Sequence, residues 1–196
     1  MEGNQRYAAS TACVKCQIIF LIFYRNPFER LVSAYREKIQ GALPGTLHDK
    51  LRRRITQDFR GVTVPKKKRL PIVYIPTFKE FTQYLVRESQ AGKVPEMHWA
   101  PVYSFCNPCQ VHINTILKFE TLDEDTQYVL EKIGAPDLLK KVKRKNQTKG
   151  KHSHNVATDY LKQLDEELYE KLIDIYKIDF EIFGYKIPAY NSTSML

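Results

Sequence analysis

Two rhythms of hydrophobic and polar positions run along the chain. Ile18 to Tyr24, IIFLIFY, is an unbroken apolar run rich in β-formers that stops at Arg25, Asn26 and Pro27, and it predicts a buried strand. Beyond it Phe28, Leu31, Val32, Tyr35 and Ile39 recur at helical spacing, so a tight turn leads directly into a helix. Asn26 suits the N-cap and Pro27 the first helical position, because proline lacks only a donor that would be unpaired there. From Gly41 to Pro71 no period stands out, and residues 41–71 read as a solvated, mobile insert loop with room for one short helix. Thr77 and Glu80 then have capping-box spacing ahead of Phe81, Tyr84 and Leu85, which predicts a helix from Phe78 to about Glu88.

A second strand-to-helix unit follows. Val111 to Phe119 is β-rich, Thr121 and Glu124 repeat the capping-box spacing, and Leu122, Tyr128, Val129 and Ile133 supply an apolar helix face that Gly134 should end. Leu138 to His152 holds seven Lys or Arg and no acid and reads as a loop. Leu161, Leu164, Leu168, Leu172 and Ile175 mark one long closing helix before DFEIFGY, and 186–196 form a C-terminal tail. Strands alternating with helices imply a single α/β domain over 1–196 built on a parallel sheet.

Composition narrows the class. With 196 residues, 43% hydrophobic and 27% charged, the chain is neither collagen-like, disordered nor a disulfide-dense miniprotein. Its longest apolar run has seven residues, whereas a membrane helix needs about 20. The run leads at once into RNPFER without a small-residue cleavage site, so a strand is the better reading than a signal-peptide core. Lys plus Arg at 31 against Asp plus Glu at 22 gives +9, which favours a polyanionic partner: nucleic acid, sulfated glycan, nucleotide or acidic membrane. Within 41–71, nine basic residues meet two acidic ones, Asp49 and Asp58, so this segment carries +7 of the total.

The chemistry concentrates at the first turn. A helix that starts just after a strand presents unpaired amide donors and the positive end of its dipole, where phosphate is commonly held. Arg25 stands there as a planar fork suited to phosphate. Ser33 lies eight residues on, about two helical turns.

The segment RNPFERLVSAYREKI resembles the 3′-phosphate-binding motif of the Golgi carbohydrate sulfotransferases of the chondroitin 4-O-, dermatan 4-O- and HNK-1 sulfotransferase group. Three more segments match in order: HWAPVYSFCNPC, KFETLDEDTQYVLEKIGA and LYEKLIDIYKIDFEIFGY. The resemblance implies a P-loop-like sulfotransferase fold and 3′-phosphoadenosine-5′-phosphosulfate as co-substrate, with no metal. It places the 3′-phosphate on Arg25, Asn26, Pro27, Phe28, Glu29, Arg30, Leu31, Val32 and Ser33, with Arg25 and Ser33 as the holding side chains. The acceptor it implies is a hydroxyl of a glycosaminoglycan or glycoprotein glycan. The compartment is the Golgi, with membrane attachment only through a segment not in this chain. Such enzymes carry a second, 5′-phosphosulfate loop several dozen residues upstream of this motif. Only 24 residues precede Arg25, and TACVKCQ does not follow that loop's pattern. The expectation is therefore an N-terminally truncated, C-terminal portion of such an enzyme, without turnover on its own.

Sulfuryl transfer needs a base for the acceptor hydroxyl. His98 is the candidate, since histidine titrates nearest neutrality, with Glu29 and Glu120 as competitors. Other features admit other uses. PKKKR at 65–69 fits a nuclear-localisation pattern and a nucleic-acid binder, although a basic groove serves a polyanionic glycan equally. Cys13/Cys16 and Cys106/Cys109 are two C-x-x-C pairs compatible with a four-cysteine zinc site, redox pairs or disulfides. The resemblance favours an oxidised, structural Cys106 and Cys109. Asn146 and Asn191 head glycosylation sequons if the chain is luminal.

Overall fold

The computed structural model describes residues 20–190 apart from 68, 112, 114 and 142–152. Cys13, Cys16, the Asn146 and Asn191 sequons and most of the 138–152 basic run lie outside the described residues.

Strand β1, Leu21–Tyr24, pairs in parallel with β2, Thr115–Lys118, Leu21 facing Thr115 and Tyr24 facing Lys118. The fold is mixed α/β with this parallel pair at one side of a mainly helical body. β1 is not the buried strand its composition predicts: Leu21 and Phe23 are exposed and only Tyr24 is buried. Alternation explains this, because Tyr24 and Leu117 face the helices while Leu21, Phe23 and Ile116 belong to surface that no described element covers.

Helix α1, Pro27–Ala34, begins as expected: the Asn26 side chain accepts from the amides of Phe28 and Glu29, and Pro27 occupies the first turn. It runs on as a π-helical segment, Tyr35–Gln40. Its apolar stripe buries Phe28, Leu31, Val32 and Tyr35 against the other core helices. Phe28 stands edge-on to Phe180 at 4.9 Å, Tyr169 at 5.8 Å and Tyr176 at 6.3 Å. Aromatic pairs of this kind each contribute about 0.5–1.5 kcal/mol beyond the area they bury.

The helix within 41–71 is longer than the short one expected, 14 residues, with non-helical chain on both sides of it. Helix α2 spans Leu47–Arg60, capped by Thr46 and ended by Gly61 in the left-handed region at φ 62°. Leu51, Ile55 and Phe59 give it an apolar stripe, and Ile55 is fully buried. Three of its four arginines are held internally, while Arg54 is exposed and lies 3.7 Å from Asp58. Asp49, 4% exposed, accepts from Arg52 at 2.7–2.8 Å, from Arg53 at 3.1 Å and from the Gly45 amide at 3.1 Å. Arg60 pairs with Glu80 through two 2.6 Å bonds.

Helix α3, Phe78–Gln90, carries both bonds of the expected Thr77–Glu80 capping box. Helix α4, Val102–Cys106, and α5, Leu122–Lys132, precede and follow β2. At α5 the second capping box does not form: Thr121 donates to Asp125, whose carboxylate also takes the Lys118 amide at 2.7 Å. A residue one turn into the helix thus outcompetes Glu124. The single closing helix is two, α6 at Ser153–Leu161 and α7 at Glu166–Ile182. The break falls where Asp165 caps α7 by accepting from the Leu168 amide, so Leu161, Leu164 and Leu168 enter the core from three segments rather than one.

Candidate active site

The turn between β1 and α1 is built from three directions. Tyr24 ends the strand, its carbonyl accepting from the Phe119 amide at 2.7 Å and its hydroxyl donating to Asp179 of α7 at 3.0 Å. Asp179 is fully buried and also accepts from the amides of Val102 at 2.7 Å and Tyr103 at 2.9 Å, so one carboxylate fixes the strand end and the start of α4 together. Burial, then the neighbouring Asp179 charge, pushes the Tyr24 hydroxyl far above its usual range. Across the turn Glu120 accepts from the Asn26 amide at 2.9 Å and the Tyr185 hydroxyl at 2.8 Å.

Arg25 projects from this turn. Its Nε and Nη2 donate to Glu29 at 3.1 Å, and its guanidinium lies 4.8 Å from the Phe119 ring centroid. Nη1 makes no hydrogen bond among the described residues. Arg25 borders a cavity of about 320 Å³ whose walls include Ile22, Tyr24, Val102, Phe105 and Phe119. Ser33 is exposed one turn beyond Glu29 on α1.

Two expectations about this motif change. The amides at the start of α1 are not unpaired, because Asn26 takes those of Phe28 and Glu29 and its carbonyl takes that of Arg30. Pro27, Phe28, Leu31 and Val32 are buried and face the core, so their side chains are turned away from any ligand at the turn. Arg30 lines the same cavity, its guanidinium 5.7 Å from the Phe105 ring centroid, and donates to the carbonyls of Met97 at 2.8 Å and Ala100 at 2.7 Å. It therefore braces the segment that carries His98.

His98 is 37% exposed, and its Nδ1 lies 2.5 Å from Oε1 of Glu96, whose other oxygen accepts the His98 amide at 2.9 Å. A carboxylate accepts, so in the neutral ring the proton sits on Nδ1 and Nε2 keeps a lone pair. The buried Trp99 follows, its carbonyl taking the Tyr176 hydroxyl. Next to Glu96 and Trp99 opens a cavity of about 440 Å³ that reaches Tyr84, Lys93, Tyr103 and Asp174. Cys106 and Cys109, expected to be oxidised, form no disulfide among the described residues; Cys106 ends α4 and Asn107, at φ 43°, turns the chain between them. Burial pushes the Cys106 thiol up.

Sequence reading missed two residues here and the use of a third. Glu96 is visible in hindsight from its i, i+2 spacing to His98. Asp179 and the grip of Arg30 depend on contacts 77 and 70 positions away and leave no local trace.

A strand-to-helix turn that sets an arginine beside an apolar-walled cavity belongs to a mixed α/β protein. The chain belongs to the sulfotransferase family, whose model matches residues 5–186. Among its relatives, carbohydrate sulfotransferase 11 of Mus musculus is 33% identical over 170 residues, covering 86% of this chain and 47% of that protein. Carbohydrate sulfotransferase 14 of Danio rerio is 33% identical over 85% of this chain and 44% of its own length, and carbohydrate sulfotransferase 9 of Homo sapiens 33% over 85% and 37%. The chain thus spans about half the length, or less, of these relatives. No solved structure matches it.

Proposed function

We propose that this chain supplies the 3′-phosphate side and the base of a carbohydrate sulfotransferase that moves a sulfuryl group from 3′-phosphoadenosine-5′-phosphosulfate to a glycan hydroxyl. The observation that carries the reading is Arg25, held by Glu29 with Nη1 directed away from that pair at the mouth of an apolar-walled cavity. The guanidinium fits the 3′-phosphate, and Ile22, Phe105 and Phe119 suit a nucleobase. Ser33 provides a second donor if the phosphate lies beside α1.

In the transfer, the acceptor oxygen forms a bond to sulfur as the bond from sulfur to the 5′-phosphate oxygen breaks, and the acceptor proton passes to a base. His98 is that base, through Nε2. Glu29 and Glu120 compete less well, since Glu29 is paired with Arg25 and Glu120 holds Asn26 and Tyr185. The cavity beside Glu96 has the size for a sugar ring. The compartment in this reading is the Golgi lumen; among the described residues no helix is long and apolar enough to cross a membrane. A nucleic-acid reading finds no support, because Arg52, Arg53 and Arg60 are engaged internally and Arg53 also pins the carbonyls of Pro65 and Lys67.

Calorimetry with adenosine 3′,5′-bisphosphate tests the site. Arg25→Ala should weaken binding by about 1.5–3 kcal/mol, the worth of a charge-assisted pair to phosphate. Equal affinity of variant and wild type removes the assignment. In a chain that turns over, His98→Gln should lower the rate far more than it lowers nucleotide affinity.

A further inference from the structure

His98 has a second neighbour that its proposed role as base does not use. His48, the second residue of α2, brings Nε2 to 3.8 Å from Oε1 of Glu96, the same oxygen that meets His98 Nδ1 at 2.5 Å. The three donor atoms all lie within 4.8 Å of one another. Two imidazoles and one carboxylate form the ligand set of an open zinc site, with metal–donor bonds of about 2.0–2.2 Å and a fourth position left to water.

The set is held in place. His48 stands on a helix start fixed by the Thr46 cap and the Asp49 ion pairs. Glu96 and His98 lie on a turn closed by the Trp99 and Ala100 amides donating to the Glu96 carbonyl, and Arg30 grips that turn from α1. The buried Trp99 indole stands 5.9 Å from the His48 ring and walls one side. The ligand side chains are 23%, 36% and 37% exposed, which leaves an approach from solvent and room for a bound water. Donor atoms around a tetrahedral ion sit about 3.3 Å apart, as those bond lengths require. The 2.5 Å contact must open and the 3.8 Å contact close by less than an ångström each, roughly, and the two imidazoles, within 4.8 Å of each other, must draw together by at most about 1.5 Å, which side-chain rotation provides.

We propose that His48, Glu96 and His98 bind a divalent ion of the zinc type, and that this ion switches off His98 as a base. The absence of a thiolate and the presence of two imidazoles select zinc, cobalt or nickel over calcium or magnesium. Without metal, Glu96 keeps the His98 proton on Nδ1 and Nε2 can accept. With metal on Nδ1, the neutral ring carries its proton on Nε2 and presents a donor to the acceptor hydroxyl, so proton abstraction stops. No atom is lost in the exchange, because the proton moves from one ring nitrogen to the other through water. The inhibitory half rests on the base assignment above; the binding half does not.

The test uses the full chain and zinc chloride. Calorimetry should show one ion per chain, with affinity reduced at least about tenfold in each of His48→Gln, Glu96→Gln and His98→Gln, while thermal melts show that each variant stays folded. Long-range proton–nitrogen NMR should show the His98 proton on Nδ1 without zinc and on Nε2 with it. Cobalt in place of zinc should give a spectrum lacking the near-ultraviolet thiolate band. Histidine variants that bind zinc as the wild type does, a thiolate band, or a His98 proton that stays on Nδ1 overturns the site. Neither binding nor tautomer depends on turnover, so failure of His98 as base, read from the rate of His98→Gln, is a separate result.

Discussion

Two arginine-bearing regions of this molecule look alike in sequence and differ in use. Helix α2 carries Arg52, Arg53 and Arg60, and each guanidinium is closed off: Arg52 and Arg53 converge on Asp49, and Arg60 clasps Glu80 and the carbonyls of Val73 and Ile75. At the β1–α1 turn Arg25 meets one carboxylate and keeps a nitrogen without a protein partner among the described residues. Local charge density therefore does not by itself mark a guanidinium that is open to a ligand. What distinguishes a ligand-directed arginine is the count of its protein partners, and that depends on residues far along the chain.

Removing Asp49 breaks the comparison most severely. Asp49→Ala strands the buried Arg52 beside Arg53, and urea denaturation should show a loss of about 3–5 kcal/mol. A loss well under that range would mean that α2 is held by its apolar stripe alone. Next comes the paired substitution. Arg25→Ala should cost its affinity for adenosine 3′,5′-bisphosphate, whereas Arg53→Ala should leave that affinity within about twofold, since its partners are internal. Matching losses in both variants would erase the distinction between the regions.

Acid titration sharpens it further. Burial alone would raise the Asp49 and Glu80 carboxyls, but hydrogen bonds from Gly45, Arg53 and Arg52 to Asp49, and from Arg60 and Thr77 to Glu80, hold both below their ordinary values. A depressed carboxyl stabilises the fold above its unfolded value, about 4, and that contribution is lost as pH falls through the folded value. Urea midpoints measured from pH 6 downward should therefore drop below about pH 4, and drop less in Glu80→Gln. The smallest effect belongs to Arg87, half-exposed and paired with Asp58 at 2.8 Å. Arg87→Ala should change stability by at most about 1 kcal/mol.

Much of the α1 turn was legible because its signals are local. Asn26 and Pro27 define a helix start in three residues, and Thr77 with Glu80 does the same for α3. Helix α2 was also written locally, with Leu47, Leu51, Ile55 and Phe59 at every fourth position, but the charges between them masked the stripe. Thr121 shows the opposite failure. The expected box is present in sequence, yet Asp125 supplies a better acceptor and the reciprocal bonds never form. The candidate site was legible in part: Arg25, Ser33 and His98 could be proposed from segments and Glu96 stands two positions from His98, whereas His48 and Asp179 enter only through the way α2, α7 and the 95–100 turn meet.

Asp179 also sets a timetable. Its partners Tyr24, Val102 and Tyr103 leave the ribosome long before it does, the first of them 155 residues earlier. Until α7 is synthesised and docks, the strand end and the start of α4 lack the carboxylate that joins them. Contacts of such long sequence separation close late and slowly. The nascent chain thus holds its β1–α1 turn unassembled until residue 179 has emerged, and a stall before that point yields a product whose helices can pack but whose turn has no anchor.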